Sequence, residues 1–197
     1  MDTRTSPIPV RLEGVRDALR AQGVSALLVP SSDPHLSEYL PERWQGRVWL
    51  SGFTGSMATL VVTTERAALF ADSRYWTQAE NELRGSGVDL VKIPTGAATH
   101  HIDWIVAHVG KGSTLAVDGQ VLGLAAAQQL KAALDAAGIT LRTSGDVLAS
   151  AWDDRPGLPQ ARVYAHEAPH ATTPRAAKLA AVRDGMSKHG ATHHFVS

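Results

Sequence analysis

Histidine and glutamate occur at a metal-ligand spacing in His166-Glu167-Ala168-Pro169-His170 of the 197-residue sequence. On a helix, the pattern H-E-x-x-H presents two imidazoles to zinc one turn apart, with the glutamate as general base. Pro169 lies inside the motif and disfavours helical backbone at Ala168, so we do not expect the two imidazoles to converge. A zinc hydrolase that uses the His166 cluster therefore remains only a hypothesis, and it requires that the chain bind zinc tightly and stoichiometrically.

The other histidines and the glycine-rich stretches do not form a complete catalytic motif. The groups His100-His101 with His108, and His193-His194, have no carboxylates at ligand spacing, so we expect solvated or capping roles. The stretch 110–113 (GKGS) does not have the full phosphate-loop spacing, and no G-x-S-x-G nucleophile turn occurs. Cysteine is absent from the sequence, which excludes thiol nucleophiles and disulfides.

Composition and charge are those of an ordinary globular chain. Hydrophobic residues make up 44% and charged residues 19%, enough for one domain and part of another. Nineteen basic and nineteen acidic residues cancel to a formal charge of +0, so we expect no nucleic-acid or membrane partner. Since no apolar run approaches the ~18 residues of a membrane span, we expect a cytoplasmic protein.

The elements that must position any site alternate between helix and strand. Apolar periodicity predicts helices at 9–19, 74–83, 99–109 and 124–137, and strands at 25–30, 58–63, 67–71, 88–93, 114–117 and 139–142. Strands 58–63 and 67–71 are spaced as an antiparallel hairpin, and Asp72-Ser73 is predicted to cap the helix that follows. The fold class is therefore α/β, a mixed β-sheet flanked by helices.

A proline-rich and charged stretch, DDRPGLPQ at 153–160, is predicted to be a linker. It separates a first domain at 1–152 from the beginning of a second, incomplete α/β domain at 161–197. In that second part we predict a strand at 161–165, a helix at 174–189 and a strand at 192–197.

An internal repeat supports a second, related domain. When residues 11–30 are set above 178–197 without a gap, Leu, Val, Arg, Asp, Gly and Val coincide. The alternative is that any amphipathic helix followed by glycine and a strand produces such matches. If the repeat holds, 192–197 is the first buried strand of a second sheet, and we expect a truncated chain.

Three motifs occur in order: D-P-H-x-S-E-Y at 33–39, S-G-F-T-G-S at 51–56 and D-S-R-Y at 72–75. With these motifs the chain resembles, over essentially its whole length, the N-terminal domain of Xaa-Pro aminopeptidases in the creatinase and prolidase superfamily. Its last part resembles the start of the second domain in three-domain members. The resemblance implies a "pita-bread" catalytic domain that is missing from this chain.

The resemblance also implies the chemistry of the full-length family. A hydroxide bridging two divalent metals, often manganese, attacks the bond before proline, and two Asp, one His and two Glu of the catalytic domain hold the metals. None of these ligands maps onto this chain. We therefore predict no catalytic residue and no cofactor here, and no peptidase activity for the chain alone.

Finally, the resemblance implies that the domain helps to form an oligomer and to wall the active-site entrance. The candidate residues for these roles are His35, Tyr39, Trp49, Phe53, Arg74 and Tyr75. The alternative for each is structural, with the Trp and Phe in the core and the Arg-Tyr pair packing a helix against the glycine loop. Expected partners are another copy or a full-length relative, with proline-containing peptides bound only beside a catalytic domain. A stand-alone binding or assembly module is the second hypothesis.

Overall fold

The computed structural model describes residues 6–196. They divide into two compact units, one that ends at Leu158 and one that begins at Pro159. Within the described residues, no helix is long and apolar enough to cross a membrane. The boundaries of the predicted linker and second domain stay a prediction.

The first unit contains five α-helices and six strands in the part of the chain described. The helices are α1 (Ile8–Ala21), α2 (Gly46–Ser51), α3 (Trp76–Glu82), α4 (His100–His108) and α5 (Leu124–Ala137). The strands are β1 (Ala26–Pro30), β2 (Thr59–Thr63), β3 (Ala67–Asp72), β4 (Asp89–Ile93), β5 (Thr114–Ala116) and β6 (Thr140–Arg142). Short 3-10 helices lie at Glu42–Trp44, Gly119–Val121 and Val147–Ser150.

The six strands form one sheet in the order β4-β3-β2-β1-β5-β6. Strand β2 pairs antiparallel with both β1 and β3, as the predicted hairpin requires. The pairs β1-β5, β3-β4 and β5-β6 are parallel. The prediction of a mixed sheet is confirmed.

Helices cover both faces of this sheet. Leu60 and Val62 of β2 pack in the cluster that contains the apolar side of α1, whereas Val61 packs in the cluster that contains α4 and α5. This alternation follows from the two-residue period of a strand and explains why the central strands read as continuous apolar runs. The predicted flanking helices, and with them the α/β fold class, are confirmed.

Two local predictions in the first unit need correction. The short helix α2 was not predicted, because its six residues are too few to show a period; Gly52, with a φ of 74°, ends it. The predicted cap at Asp72-Ser73 is wrong, since α3 begins at Trp76. The Asp72 carboxylate instead accepts the backbone N–H of Arg74 at 3.1 Å, which makes a turn before the helix.

The second unit contains one helix among its described residues, α6 (Arg175–Lys188), and none of the residues of α6 is buried. The predicted strands at 161–165 and 192–197 are wrong over 161–165 and 192–196, which have no strand structure; residue 197 lies outside the described residues. A strand forms only where a neighbouring strand satisfies its backbone N–H and C=O groups. The sequence pattern of a segment does not show whether such a neighbouring strand is present.

Helices α1 and α6 have the same length and the same ending. When residue 11 is aligned with residue 178, the bounds of α1 coincide with those of α6. Gly23 and Gly190 follow with φ values of 62° and 63°. In both segments the residue after the glycine donates to the carbonyl five positions earlier at 2.9 Å, the bond of a Schellman ending. A helix with a glycine ending is therefore present in both segments, whereas the predicted strand at 192–196 is absent. The repeat itself stays a prediction, because any helix followed by glycine can end in this way.

Candidate functional site

The three sequence motifs meet at one edge of the sheet. Strands β1 and β3 both end there, at Pro30 and Asp72. Because β2 runs antiparallel to both, the segment that enters it at Thr59 lies at the same edge, opposite Pro30. The loops at 31–45, 52–58 and 73–75 are therefore neighbours, although they lie far apart in sequence.

Asp33 organises the first motif. Its carboxylate is 4% exposed and accepts the backbone N–H groups of His35 and Ser37, each at 2.9 Å. Burial acts to raise the pKa of Asp33, but the hydrogen bonds from Ser37 and His35 outweigh it, so this pKa lies below its usual value. The loop is thus built around a charged carboxylate, while His35 and Tyr39 are exposed on its surface.

Arg47 organises the second motif. Its side chain is 4% exposed, and it donates from Nε to Ser31 Oγ at 2.7 Å, from Nη1 to Phe53 O at 3.0 Å and from Nη2 to Gly55 O at 2.6 Å. The guanidinium also lies 5.1 Å from the centre of the Phe53 ring. Burial lowers the pKa of Arg47 to about 10, so the group remains a cation at neutral pH.

Ser31 joins the end of β1 to the start of β2. Its hydroxyl donates to Ala58 O at 2.7 Å and accepts the Ala58 N–H at 3.2 Å, in addition to its bond with Arg47. The buried cation is therefore connected to the sheet itself, which fixes the glycine-rich loop relative to β1.

An aromatic pair lies beside this loop. Phe53 is fully buried, and its ring meets that of Tyr75 edge to face, with centroids 5.8 Å apart. The Tyr75 hydroxyl lies 2.6 Å from Ser56 Oγ. A side chain at Gly55 would place its Cβ 2.2 Å from the Phe53 ring and 2.9 Å from the Tyr75 ring, so only glycine fits there.

Glu82 of α3 holds the same loop from the other side. Its carboxylate accepts the backbone N–H of Thr54 at 2.8 Å and the Thr54 hydroxyl at 2.7 Å, and Gln78 donates to it at 3.0 Å. Burial acts to raise the pKa of Glu82, whereas these hydrogen bonds and the charge of Arg47 lower it, with a net decrease. Glu82 is consequently ionised at neutral pH.

Arg74 belongs to an ion pair at the edge of this cluster. It donates from Nε and Nη2 to the buried Asp72 carboxylate at 2.9 and 2.7 Å. This side-chain bond is the main reason that the pKa of Asp72 is lowered, against the opposing effect of burial. The Arg74 side chain is 64% exposed, so its guanidinium is accessible to solvent although the bonds to Asp72 hold it in one orientation.

An open cleft of about 210 Å³ lies between the first loop, α2 and the glycine loop. Its walls combine hydroxyl, amide, indole and aliphatic groups with the buried arginine. They are Pro30, Ser31, Glu38, Tyr39, Leu40, Trp44, Gln45, Arg47, Val48, Thr54, Gly55 and Ser56. We call this the Arg47 cleft.

The structure thus distributes the six predicted residues over three places. Tyr39, which is 85% exposed, lines the Arg47 cleft, and His35 is exposed on the same loop. Phe53, Arg74 and Tyr75 form the neighbouring cluster. Trp49 does not line the cleft; it packs instead against the core that contains α1.

Sequence reasoning missed Arg47, Thr54 and Ser56 as parts of one cleft. Thr54 and Ser56 belong to the S-G-F-T-G-S motif, but nothing in their spacing shows which face of the loop they occupy. A signal for Arg47 did exist, since it is the one charge in the stretch 46–51 (GRVWLS), directly before a glycine-rich loop that needs donors.

Within residues 6–196, no group of three or more metal-ligating side chains is placed to hold a metal ion. In the His-Glu motif, the rings of His166 and His170 lie edge to face with centroids 6.3 Å apart, and Tyr164 is stacked on His166. The segment 168–170 forms a turn, not a helix.

Together, the mixed sheet and its flanking helices define an α/β domain with a fold like that of creatinase/prolidase N-terminal domains. Residues 11–149 match the family model described as the Creatinase/Prolidase N-terminal domain. The chain belongs to this family, which confirms the resemblance.

Similar proteins are longer than this chain. Xaa-Pro aminopeptidase 2 of Sus scrofa is 32% identical over 181 residues, covering 91% of this chain and 26% of that protein. Xaa-Pro aminopeptidase ApepP of Drosophila melanogaster is 32% identical over 204 residues, covering 100% of this chain and 33% of the relative. The chain therefore spans about a quarter to a third of the length of these relatives.

Solved structures agree. An X-prolyl aminopeptidase from Caenorhabditis elegans, described as a cytosolic enzyme with a di-nuclear active site, has a TM-score of 0.77 and 28% identity, covering 93% of this chain and 31% of that one. The N-terminal domain of the cytoplasmic peptidase PepQ from Mycobacterium tuberculosis shares the fold at a TM-score of 0.53 and 22% identity, covering 72% of this chain and 97% of that one.

Proposed function

We propose that this chain is the non-catalytic N-terminal part of a metal-dependent Xaa-Pro aminopeptidase, a hydrolase that removes the residue before proline. The observation that carries the proposal is the coverage of the similarity, which extends over 91% of this chain but 26% of the porcine relative. The divalent metals, which we expect to be manganese, belong to the remainder of such an enzyme. We assign no metal ligand to residues 6–196.

The role we propose for this part is to form subunit contacts and one wall of the active-site entrance. His35, Tyr39 and Arg74 are exposed at one edge of the sheet. Each belongs to a loop that a buried carboxylate, Asp33 or Asp72, holds in place. Exposed side chains on a rigid frame are suited to position a substrate or a neighbouring subunit.

For its location, we propose the cytoplasm. The relative from Caenorhabditis elegans is described as cytosolic. Antibody detection in fractionated cells checks this point, and recovery in the membrane pellet after a salt wash would contradict it.

The experiment that tests the function places residues 6–158 in the position of the equivalent domain of the Caenorhabditis elegans enzyme. Tyr39→Ala and Arg74→Ala in this chimaera are expected to raise KM for an Xaa-Pro peptide about tenfold with kcat retained, as loss of a positioning contact should. Arg66→Ala, an exposed change at the opposite edge of the sheet, is the control and should leave KM unchanged. Equal KM values for all three variants would reject the entrance role.

The purified chain itself provides the second test. With Mn²⁺ present it should not cleave an Xaa-Pro peptide. Cleavage that a chelator abolishes would overturn the assignment of a non-catalytic part.

A stand-alone binding or assembly module is the alternative, and one observation favours it: the first unit already has a buried core on each face of its sheet. Such a module is expected to bind a full-length relative or itself without any catalytic domain of its own. Sedimentation of the purified chain, alone and mixed with a full-length relative, tests this alternative. A monomer that forms no complex is incompatible with the module.

A further inference from the structure

Two arginines join the loop at 31–45 to the segment that leads to the second unit. Arg155 donates from Nε to the Arg43 carbonyl at 2.9 Å, and Arg43 donates from Nη1 to the Pro156 carbonyl at 3.1 Å. The two bonds run in opposite directions between the same two segments, which lie far apart in sequence. We call this pair of bonds the arginine clasp.

The Arg155 side chain has one defined orientation within the clasp. It forms an ion pair with Asp146 and is 8% exposed, and its guanidinium lies 5.4 Å from the Trp44 ring and 5.6 Å from the Trp152 ring. A planar guanidinium can stack on aromatic rings while its N–H groups donate in the plane. Arg155 is therefore fixed by groups from three separate segments of the first unit.

Trp44 connects the clasp to the Arg47 cleft. Its side of the cleft also borders a smaller cavity of about 30 Å³, and Trp44 and Arg155 both line that cavity. Gln45, the next residue in the chain, lines the cleft too and donates from Nε2 to the Leu40 carbonyl at 3.0 Å. Leu40 directly follows Tyr39. The cleft wall that carries Tyr39 is thus linked to Arg155 through Trp44 and Gln45.

The first part of the same loop is held by a different group. The Asp33 carboxylate accepts the backbone N–H groups of His35 and Ser37, each at 2.9 Å. Over residues 6–196, no hydrogen bond, ion pair or ring contact joins these three residues to Arg155. Loss of Arg155 is therefore expected to loosen residues 40–45 and to leave residues 33–37 in place.

We propose that Arg155 is a positioning residue for the active-site entrance, and that it acts by supporting Trp44 and the cleft wall beside Tyr39. The effect on substrate rests on the proposed function, whereas the support of the wall is a property of this chain alone. Because Arg155 lies in the segment that leads to the second unit, a displacement of this segment would release the cleft wall.

The first test is amide hydrogen exchange in the purified chain, followed by NMR, which does not depend on the proposed function. The amides of Trp44 and Gln45 donate to backbone carbonyls of their own 3-10 turn at 2.9 and 3.1 Å. Arg155→Ala is expected to accelerate their exchange at least about tenfold, because local opening exposes the segment that has lost its support. The amides of His35 and Ser37 should change by less than about twofold, since Asp33 still holds them.

Two further variants complete this test. Arg43→Ala removes the other bond of the clasp and leaves the Asp146–Arg155 ion pair, so it keeps the test valid if Arg155→Ala does not fold. It should accelerate the same two amides, and the double variant should show less than the product of the two single effects. Arg162→Ala, exposed in the second unit, is the control and should alter none of these amides. Equal acceleration throughout the loop would show a general loss of stability and would overturn the proposal, as would no acceleration at all.

The second test uses the chimaera that carries residues 6–158. Arg155→Ala is expected to raise KM for an Xaa-Pro peptide about three- to tenfold with kcat retained. Combined with Tyr39→Ala, it should add little to the effect of Tyr39→Ala alone, because both changes act on the same wall. If Tyr39→Ala raises KM and Arg155→Ala does not, the proposed function stands and the positioning role is wrong. If KM responds to neither variant, the entrance role is rejected, and the positioning role with it.

Discussion

The indole rings of Trp49 and Trp152 are stacked, with centroids 4.8 Å apart and planes inclined by 13°. The guanidinium of Arg155 lies 5.6 Å from the Trp152 ring and 5.4 Å from that of Trp44. On the other side, the Arg11 guanidinium lies 5.0 Å from the Trp49 ring. A series of stacked cations and aromatic rings therefore attaches the start of the stretch predicted as a linker to the first unit.

Arg155→Ala is expected to lower the free energy of unfolding by about 1–3 kcal/mol. The Arg155 side chain is 8% exposed, pairs with Asp146 and donates to the backbone carbonyl of Arg43 at 2.9 Å. Its removal leaves that carboxylate without its cation and opens the face of Trp152. Urea unfolding followed by tryptophan fluorescence measures the change.

Arg162→Ala is the matched control, since Arg162 is exposed in the second unit. Its effect should stay within about 0.5 kcal/mol. Equal unfolding midpoints for Arg155→Ala and the unchanged chain would show that the stacked series contributes nothing to stability.

Limited digestion with chymotrypsin should cleave after Tyr164 well before it cleaves after Trp152. Tyr164 is 76% exposed in a segment without regular structure, whereas Trp152 is 7% exposed. Proteases need several residues of accessible, extended backbone. Mass spectrometry identifies the products. Early cleavage after Trp152 would contradict the attachment of 153–158 to the first unit. Resistance to cleavage at Tyr164 would favour a self-sufficient module.

Gly55→Ala is expected to destabilise the chain by more than about 2 kcal/mol, because the new methyl group overlaps a buried ring. Its Cβ would lie 2.2 Å from the buried Phe53 ring. Gly14→Ala is the control: Gly14 lies in α1, and no atom beyond its chain neighbours and the backbone of its own helix lies within 4 Å of an added Cβ, so alanine there should stabilise by up to about 1 kcal/mol. Thermal unfolding of both variants checks the pair, and similar shifts in Tm would refute the steric argument.

Acidification should lower the free energy of unfolding of the first unit through His101. Burial lowers the pKa of His101 below its ordinary value, with smaller opposing effects of the Ala98 backbone and Asp103, and the ring meets Phe70 edge to face at 6.1 Å. The unfolded chain, with a histidine pKa near about 6.5, takes up the proton first. Stability contributed by the neutral ring is therefore present above about pH 6.5 and is lost as the pH falls toward the folded-state value.

Urea unfolding at pH 7.5 and 5.5 measures the loss of unfolding free energy on acidification. We expect this loss to be smaller in His101→Gln than in the unchanged chain. His100→Gln, an exposed neighbour on the same helix, should retain most of the pH dependence, because the charge of His100 is the smallest of the causes that act on the pKa of His101. An identical loss in the two variants would assign the pH dependence to other groups.

Much of the fold could be predicted because its signals are local. Apolar runs marked all six strands of the sheet, and the three-residue spacing of the hairpin indicated its mixed direction. Two kinds of prediction failed. Asp72 accepts hydrogen bonds from its near neighbour Arg74 and does not cap the helix, and spacing alone does not distinguish these two local arrangements. Residues 192–196 have no strand to pair with among residues 6–196, and a local pattern does not show whether a pairing strand is present.

The sequence by itself determined the fold class, the family and the three motifs, because spacing and periodicity are properties of neighbouring residues. Only the tertiary structure decided which of those residues share a surface. It separated Trp49 from Tyr39, buried Phe53 and placed Arg47 in the wall of a cleft. Those outcomes depend on strand order and on which face of each loop packs inward, and both are settled by contacts between residues far apart in the chain.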